Sequence, residues 1–116
     1  MQIPPNTTRL LRRWGVFNHL DEFAVQPSCI NFRRWENGAV IGHTNLVPSF
    51  LESFGAPYVV AHRAHLHAAL STRAAELGVR VRLNSRVIKY NVDSASVILS
   101  DGTVIFGDLI VAADGI

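Results

Sequence analysis

The chain has 116 residues, 48% of them hydrophobic and 17% charged, with a formal net charge of +2 and a mean hydropathy of +0.19. That length can bury roughly 65% of the unfolded surface around one core, and the composition excludes a disordered acidic or polar tail. No run approaches the roughly 18 apolar residues of a membrane span, and ten dispersed arginines with one lysine read as solvated cations rather than a nucleic-acid surface.

Pro4-Pro5-Asn6-Thr7-Thr8 signals a helix start, with Asn6 or Thr7 as cap. Leu10, Leu11 and Trp14 follow at helical spacing and Gly15 ends the helix. Arg9, Arg12 and Arg13 without an acid superficially resemble a presequence, but a plain helix explains the same residues. Ile30–Trp35 and Ala39–Thr44 read as a hairpin around Glu36-Asn37-Gly38. After the short apolar run Tyr58–Ala61, the positions Leu66, Ala69, Leu70, Arg73, Ala74 and Leu77 set a helix over Arg63–Leu77, closed by Gly78. Val79, Val81 and Leu83 alternate with polar residues, which predicts a strand. Arg86–Val92, Ser96–Ser100 and Thr103–Phe106 predict a three-stranded meander with Asp101-Gly102 in its second turn. Leu109–Ala113 shows no alternation, which predicts a parallel strand buried on both faces.

Such a strand needs neighbours and covering helices that this chain does not supply, so the sequence is expected to be a piece of a larger α/β domain. Cys29 is the single cysteine, which forbids an internal disulfide and fits a reducing compartment, the cytoplasm. Asp114-Gly115 sits at the carboxyl end of the predicted buried strand, where open α/β sheets bind ligands. An acid there can take hydrogen bonds from a ribose, and glycine permits close backbone approach to phosphate. Arg63 opens the long helix just after a strand, with free N–H groups beside a cation that is unfavourable for the helix dipole. His62, His65 and His67 do not share one helical face, so no metal is expected. No GxGxxG, P-loop, CxxC pair or Gly-x-Ser-x-Gly is present, and no residue stands out as a general base.

Gln2-Ile3-Pro4-Pro5-Asn6, Leu10-Leu11 with Trp14-Gly15, and His62-Arg63-Ala64-His65-Leu66 with Leu70 occur in order. Leu83-Asn84-Ser85-Arg86-Val87, Ser100-Asp101-Gly102 and Gly107-Asp108-Leu109-Ile110-Val111-Ala112-Ala113-Asp114-Gly115 follow. This ordered set resembles the single-component FAD-dependent aromatic hydroxylases, the group of salicylate hydroxylase and para-hydroxybenzoate hydroxylase, over nearly the whole chain. The resemblance implies a partial FAD/NAD(P)-binding domain, Rossmann-like and of the glutathione-reductase type, with a β-meander and part of a substrate-covering hairpin. It assigns residues 1–57 to the substrate-facing part and 58–116 to the FAD-binding domain. Arg63 corresponds to an arginine that contacts FAD, Val87 to a strand position near the adenine, and Asp114 and Gly115 to a motif used for FAD and NAD(P)H. Arg33, Trp35 and His43 are the substrate-facing candidates.

The implied chemistry is reduction of FAD by NAD(P)H, uptake of oxygen and transfer of one oxygen atom to a small aromatic substrate. The family's GxGxxG falls before Met1 and its Gly-Asp motif after Ile116. The chain alone is therefore expected to bind FAD weakly or not at all, because the pyrophosphate lacks its helix N-terminus. A non-catalytic interaction module and a part of another FAD enzyme, an oxidase or epoxidase, are the alternative readings.

Overall fold

A computed structural model describes residues 1–115 of the chain. They form two compact units, Met1–Val79 and Arg80 onward. That division is one of packing, whereas the expected 57/58 division is one of roles.

In the first unit, β1 (Gln2–Ile3) leads into α1 (Pro5–Arg13). Pro5 takes the first helical position, where its missing N–H costs nothing. The cap differs from the expectation: Pro4 is the N-cap, and Asn6 instead accepts the Thr7 amide at 2.9 Å from within the first turn. Two 3-10 turns, Phe17–His19 and Asp21–Phe23, follow. Then come β2 (Cys29–Arg33), β3 (Val40–Asn45), α2 (Ser49–Phe54), β4 (Val59–Val60) and α3 (Arg63–Glu76).

Both longer helices end as the glycines predict. Gly15 has φ +76° and Gly78 φ +77°. Gly15 N–H donates to Arg12 and Val16 N–H to Leu11, and Gly78 and Val79 repeat the pattern onto Ala75 and Ala74. This paired arrangement satisfies the last carbonyls through a left-handed residue, which favours glycine. Leu11 and Val16, which flank the first such turn, are both buried, as the accompanying hydrophobic contact requires.

The core of this unit gathers Ile3, Leu11, Val16, Phe17, Leu20, Val59, Ala61 and Ala69. β1 and β4 pair antiparallel, with Gln2 opposite Val60 and Ile3 opposite Val59, and so deliver Ile3 and Val59 to it. Thr8 is fully buried, and its hydroxyl donates to the Pro57 carbonyl at 2.8 Å. The apolar stripe expected on α3 is narrower than its spacing suggests. Ala69 is buried and Leu66 half-buried, while Leu70 and Leu77 are exposed, because α3 meets this core along one line only.

β2 and β3 form the expected antiparallel hairpin, with Asn31 opposite His43 and Phe32 opposite Gly42. A Cβ at Gly42 would stand 3.2 Å from the Phe32 ring, so the ring lies directly over that glycine.

The second unit is a three-stranded antiparallel sheet in sequence order, β5 (Val87–Asn91), β6 (Ser96–Leu99) and β7 (Val104–Phe106). Gly102 has φ +84° in the turn after β6. The Asp101 carboxylate accepts the Thr103 amide there at 2.8 Å, and that bond holds its carboxyl below the usual carboxylate range.

Two expected strands are absent. Residues 79–84 and 109–113 carry no ladder, and Val81, Leu83, Leu109 and Val111 are 69–81% exposed. Every strand pair among the described residues is antiparallel. The physical reason is pairing. Apolar pattern reports that a segment suits burial, but a strand forms only where another chain segment takes up its N–H and C=O groups.

Truncating the fully buried Leu20 leaves a cavity, so Leu20→Ala is expected to cost about 2–5 kcal/mol. Thr8→Val, which leaves the Pro57 carbonyl buried without its donor, is expected to cost about 1–3 kcal/mol. Urea unfolding followed by circular dichroism measures both, and unchanged midpoints would remove this core from its assigned place.

Candidate functional site

A hollow of about 820 Å³ in the second unit lies between the sheet and the segment that follows it. A bulge displaces the β5–β6 register between Val87 and Lys89. The extra residue, Ile88, puts Val87 and Tyr90 on one face. Tyr90 stands opposite Val97, and Val97 opposite Ile105. This row across the sheet floors the hollow, and Leu109–Asp114 forms its other wall. Val87 and Asp114, both singled out from the sequence, therefore share one cavity, with Arg86 as a cation on its lining. Gly115 has φ +88° with nothing within 4 Å of where a Cβ would stand.

Arg63 belongs to the first unit, where β4 ends three residues before it and α3 begins at it. The His62 ring accepts the Ala64 amide at 3.2 Å, and no acid occupies the first turn. Arg63 is exposed, and none of the ion pairs among the described residues engages it. A helix start with its own unpaired cation suits an anionic ligand.

The three substrate candidates lie on the β2–β3 hairpin. Arg33 donates to the Gly38 carbonyl at 3.0 Å and so closes its own turn. His43 is held between the side-chain oxygens of Asn31, at 2.6 Å, and Asn45, at 2.8 Å. Trp35 is 95% exposed. His65 stacks on Phe23 with ring centroids 4.2 Å apart, and His62 meets His65 edge-on at 5.9 Å. Among the described residues no three metal-type ligands come together.

One group escaped the sequence reading. The helical spacing marks Arg73 only as a member of the α3 stripe, yet its Nε donates to the Trp14 carbonyl at 2.8 Å and its Nη1 to Glu76 at 2.9 Å. Glu76 also meets His19 at 3.0 Å. The available signal was an arginine standing on an otherwise apolar stripe.

No family model matches the chain. An FAD-dependent monooxygenase of Beauveria bassiana, OpS4, is 40% identical over 119 residues, covering 100% of this chain and 28% of that protein. The 3-amino-4-hydroxybenzoate 2-monooxygenase PtmB3 of Streptomyces platensis is 34% identical over 116 residues, covering 100% of this chain and 29% of its own length. The homologues of this chain are FAD-dependent monooxygenases. The chain spans less than a third of the length of these monooxygenases. A solved structure, the tetrameric form of 2-methyl-3-hydroxypyridine-5-carboxylic acid oxygenase, superposes with a TM-score of 0.83 at 26% identity, over 99% of this chain and 28% of that one. The mixed helix–strand fold is thus that of an FAD-dependent oxygenase segment.

The tie among Arg73, Glu76 and His19 carries a pH signature. The Arg73 hydrogen bond holds the Glu76 carboxyl below its ordinary 4.5; desolvation opposes this, and His19 adds to the lowering. A carboxyl lowered in the folded state contributes stability above its unfolded value and loses it as pH falls through the folded value. Stability of the chain is therefore expected to drop below about pH 4.5, and Glu76→Gln to flatten that limb. Urea midpoints across pH 3–7 measure the limb, and an identical acid limb in the variant would show that Glu76 has no part in it.

Proposed function

We propose that the chain is the FAD-contacting part of an NAD(P)H-using monooxygenase that hydroxylates a small aromatic substrate. The observation that carries this reading is the match of the entire chain to FAD-dependent monooxygenases at up to 40% identity. We take residues 58–116 as a segment of a Rossmann-like, glutathione-reductase-type FAD-binding domain, and residues 1–57 as a helix and hairpin on the substrate side.

Arg63 offers its guanidinium to the cofactor's anionic and polar groups. Val87 and Asp114, on one hollow, take its nucleoside end, Asp114 as the hydroxyl acceptor, and Gly115 leaves the backbone open to close approach. FAD, when bound, supplies the electron transfer and oxygen activation, while the protein supplies binding, orientation and exclusion of water. Arg33, Trp35 and His43 are proposed to face the substrate, a ring with acidic or hydroxyl substituents. The protein is proposed to work in the cytoplasm, a reducing compartment that suits its single thiol. By itself the chain is proposed to be inactive.

A chimera tests this. The matched segment of the Beauveria monooxygenase is replaced by this chain and the product is purified. It is expected to retain FAD, seen as flavin absorbance, and to oxidise NAD(P)H. Arg63→Ala in the chimera is expected to weaken FAD retention about tenfold or more, in line with the roughly 1.5–3 kcal/mol of a hydrogen bond to a charged group. A folded but colourless chimera would exclude the flavin reading.

A further inference from the structure

α3 is held weakly by apolar packing. Ala69 is its one buried residue, and Leu66 is only half-buried against the core. What fixes its far half is polar. Arg73 donates to the carbonyl of Trp14, the C-cap of α1, and its guanidinium lies against Gly15, where a Cβ would come within 3.1 Å of Nε. Gly15 also has φ +76°, so glycine both makes the turn and leaves the space the guanidinium fills. Glu76 then bridges Arg73 and His19 of the first 3-10 turn. The end of α1 thus meets α3 at Arg73 and the first 3-10 turn meets it through Glu76, with Arg73 ten residues and about 15 Å along α3 from Arg63.

We propose that Arg73 is a positioning residue for the cofactor site. Seated on Gly15 and bonded to the Trp14 carbonyl, it fixes the axial placement of α3 and so holds Arg63, at the other end of that helix, in place for FAD. The proposal rests on the reading of Arg63 given above. It does not make Arg73 a ligand. A helix is rigid along its length, so a shift at the anchored end is carried to the other, and misplacements of about 1 Å matter to a bound group. The bracket is also economical in register: only the guanidinium fork reaches the backbone carbonyl and the carboxylate at once, which a point-charge ammonium cannot do in the same way.

The test compares the Beauveria chimera described above with its Arg73→Gln, Arg73→Lys and Arg63→Ala variants and the Arg63→Ala/Arg73→Gln pair, all numbered as in this chain. Two readouts are taken: amide hydrogen exchange along α3, and FAD binding by quenching of flavin fluorescence. Arg73→Gln is expected to raise exchange along α3 about five- to tenfold, the first turn included. It is also expected to weaken FAD binding by a similar factor. Arg73→Lys keeps the charge beside Glu76 and is expected to recover part of both. In the Arg63→Ala background Arg73→Gln is expected to cost FAD binding nothing further, since an effect that runs through Arg63 cannot appear without it.

Unchanged exchange in the first turn of α3 in both Arg73 variants would overturn the proposal, as would additive losses of FAD binding in the pair. If exchange rises but Arg63→Ala leaves flavin binding as it is in the parent chimera, the anchoring stands and the cofactor role of Arg63 fails. That outcome separates the two claims.

Discussion

The contact between the Arg73 guanidinium and the end of α1 ties together what the first unit's small core does not. Eight buried apolar residues join the two-residue ladder of β1 and β4 to α1 and the 3-10 turns, but α3 offers that core little beyond Ala69. A charged donor bonded to a carbonyl near the surface is worth less than a buried pair. Here it is reinforced by the fit onto a glycine that could hardly be another residue. The geometry of the α1 terminus, set by Gly15, and the placement of α3 are therefore one constraint, and a side chain at position 15 would disturb both.

Much of this was written locally. Glycines after Trp14 and Leu77, Asn37-Gly38 and Asp101-Gly102 each state a backbone conformation, and all four occur where the sequence puts them. Elements decided by partners were harder to read. The two residues of β1 and the six of α2 carry no long pattern, and their existence depends on Val59–Val60 and on packing against α1. Conversely, the apolar segments around Val81 and Val111 look like strands because they are built for burial, yet pattern alone cannot name what they pair with.

The candidate site divides in the same way. Asp114 and Val87 are separate positions in the sequence, and their sharing of a hollow follows from the Ile88 bulge, which no periodicity announces. Arg63 was legible because a cation at a helix start runs against the dipole. Arg73 was not, because an arginine inside a helical stripe looks like an ordinary amphipathic side chain whose stem packs and whose head is solvated. The exposed apolar residues of the second unit accord with a chain that spans less than a third of its monooxygenase relatives.

The pairing of Gln2 with Val60 also bears on the order of assembly. Strands β5, β6 and β7 are neighbours in sequence and can zip through short turns, with little chain to close. The β1–β4 ladder joins the two ends of a long intervening stretch, so its closure entropy falls due before its two residue pairs return anything. During synthesis α1 and the β2–β3 hairpin are complete before Val59 exists to receive Ile3. The core around Ile3 is thus a late event, and the earlier elements must persist on local bonds, such as the paired amides at Gly15, until it forms.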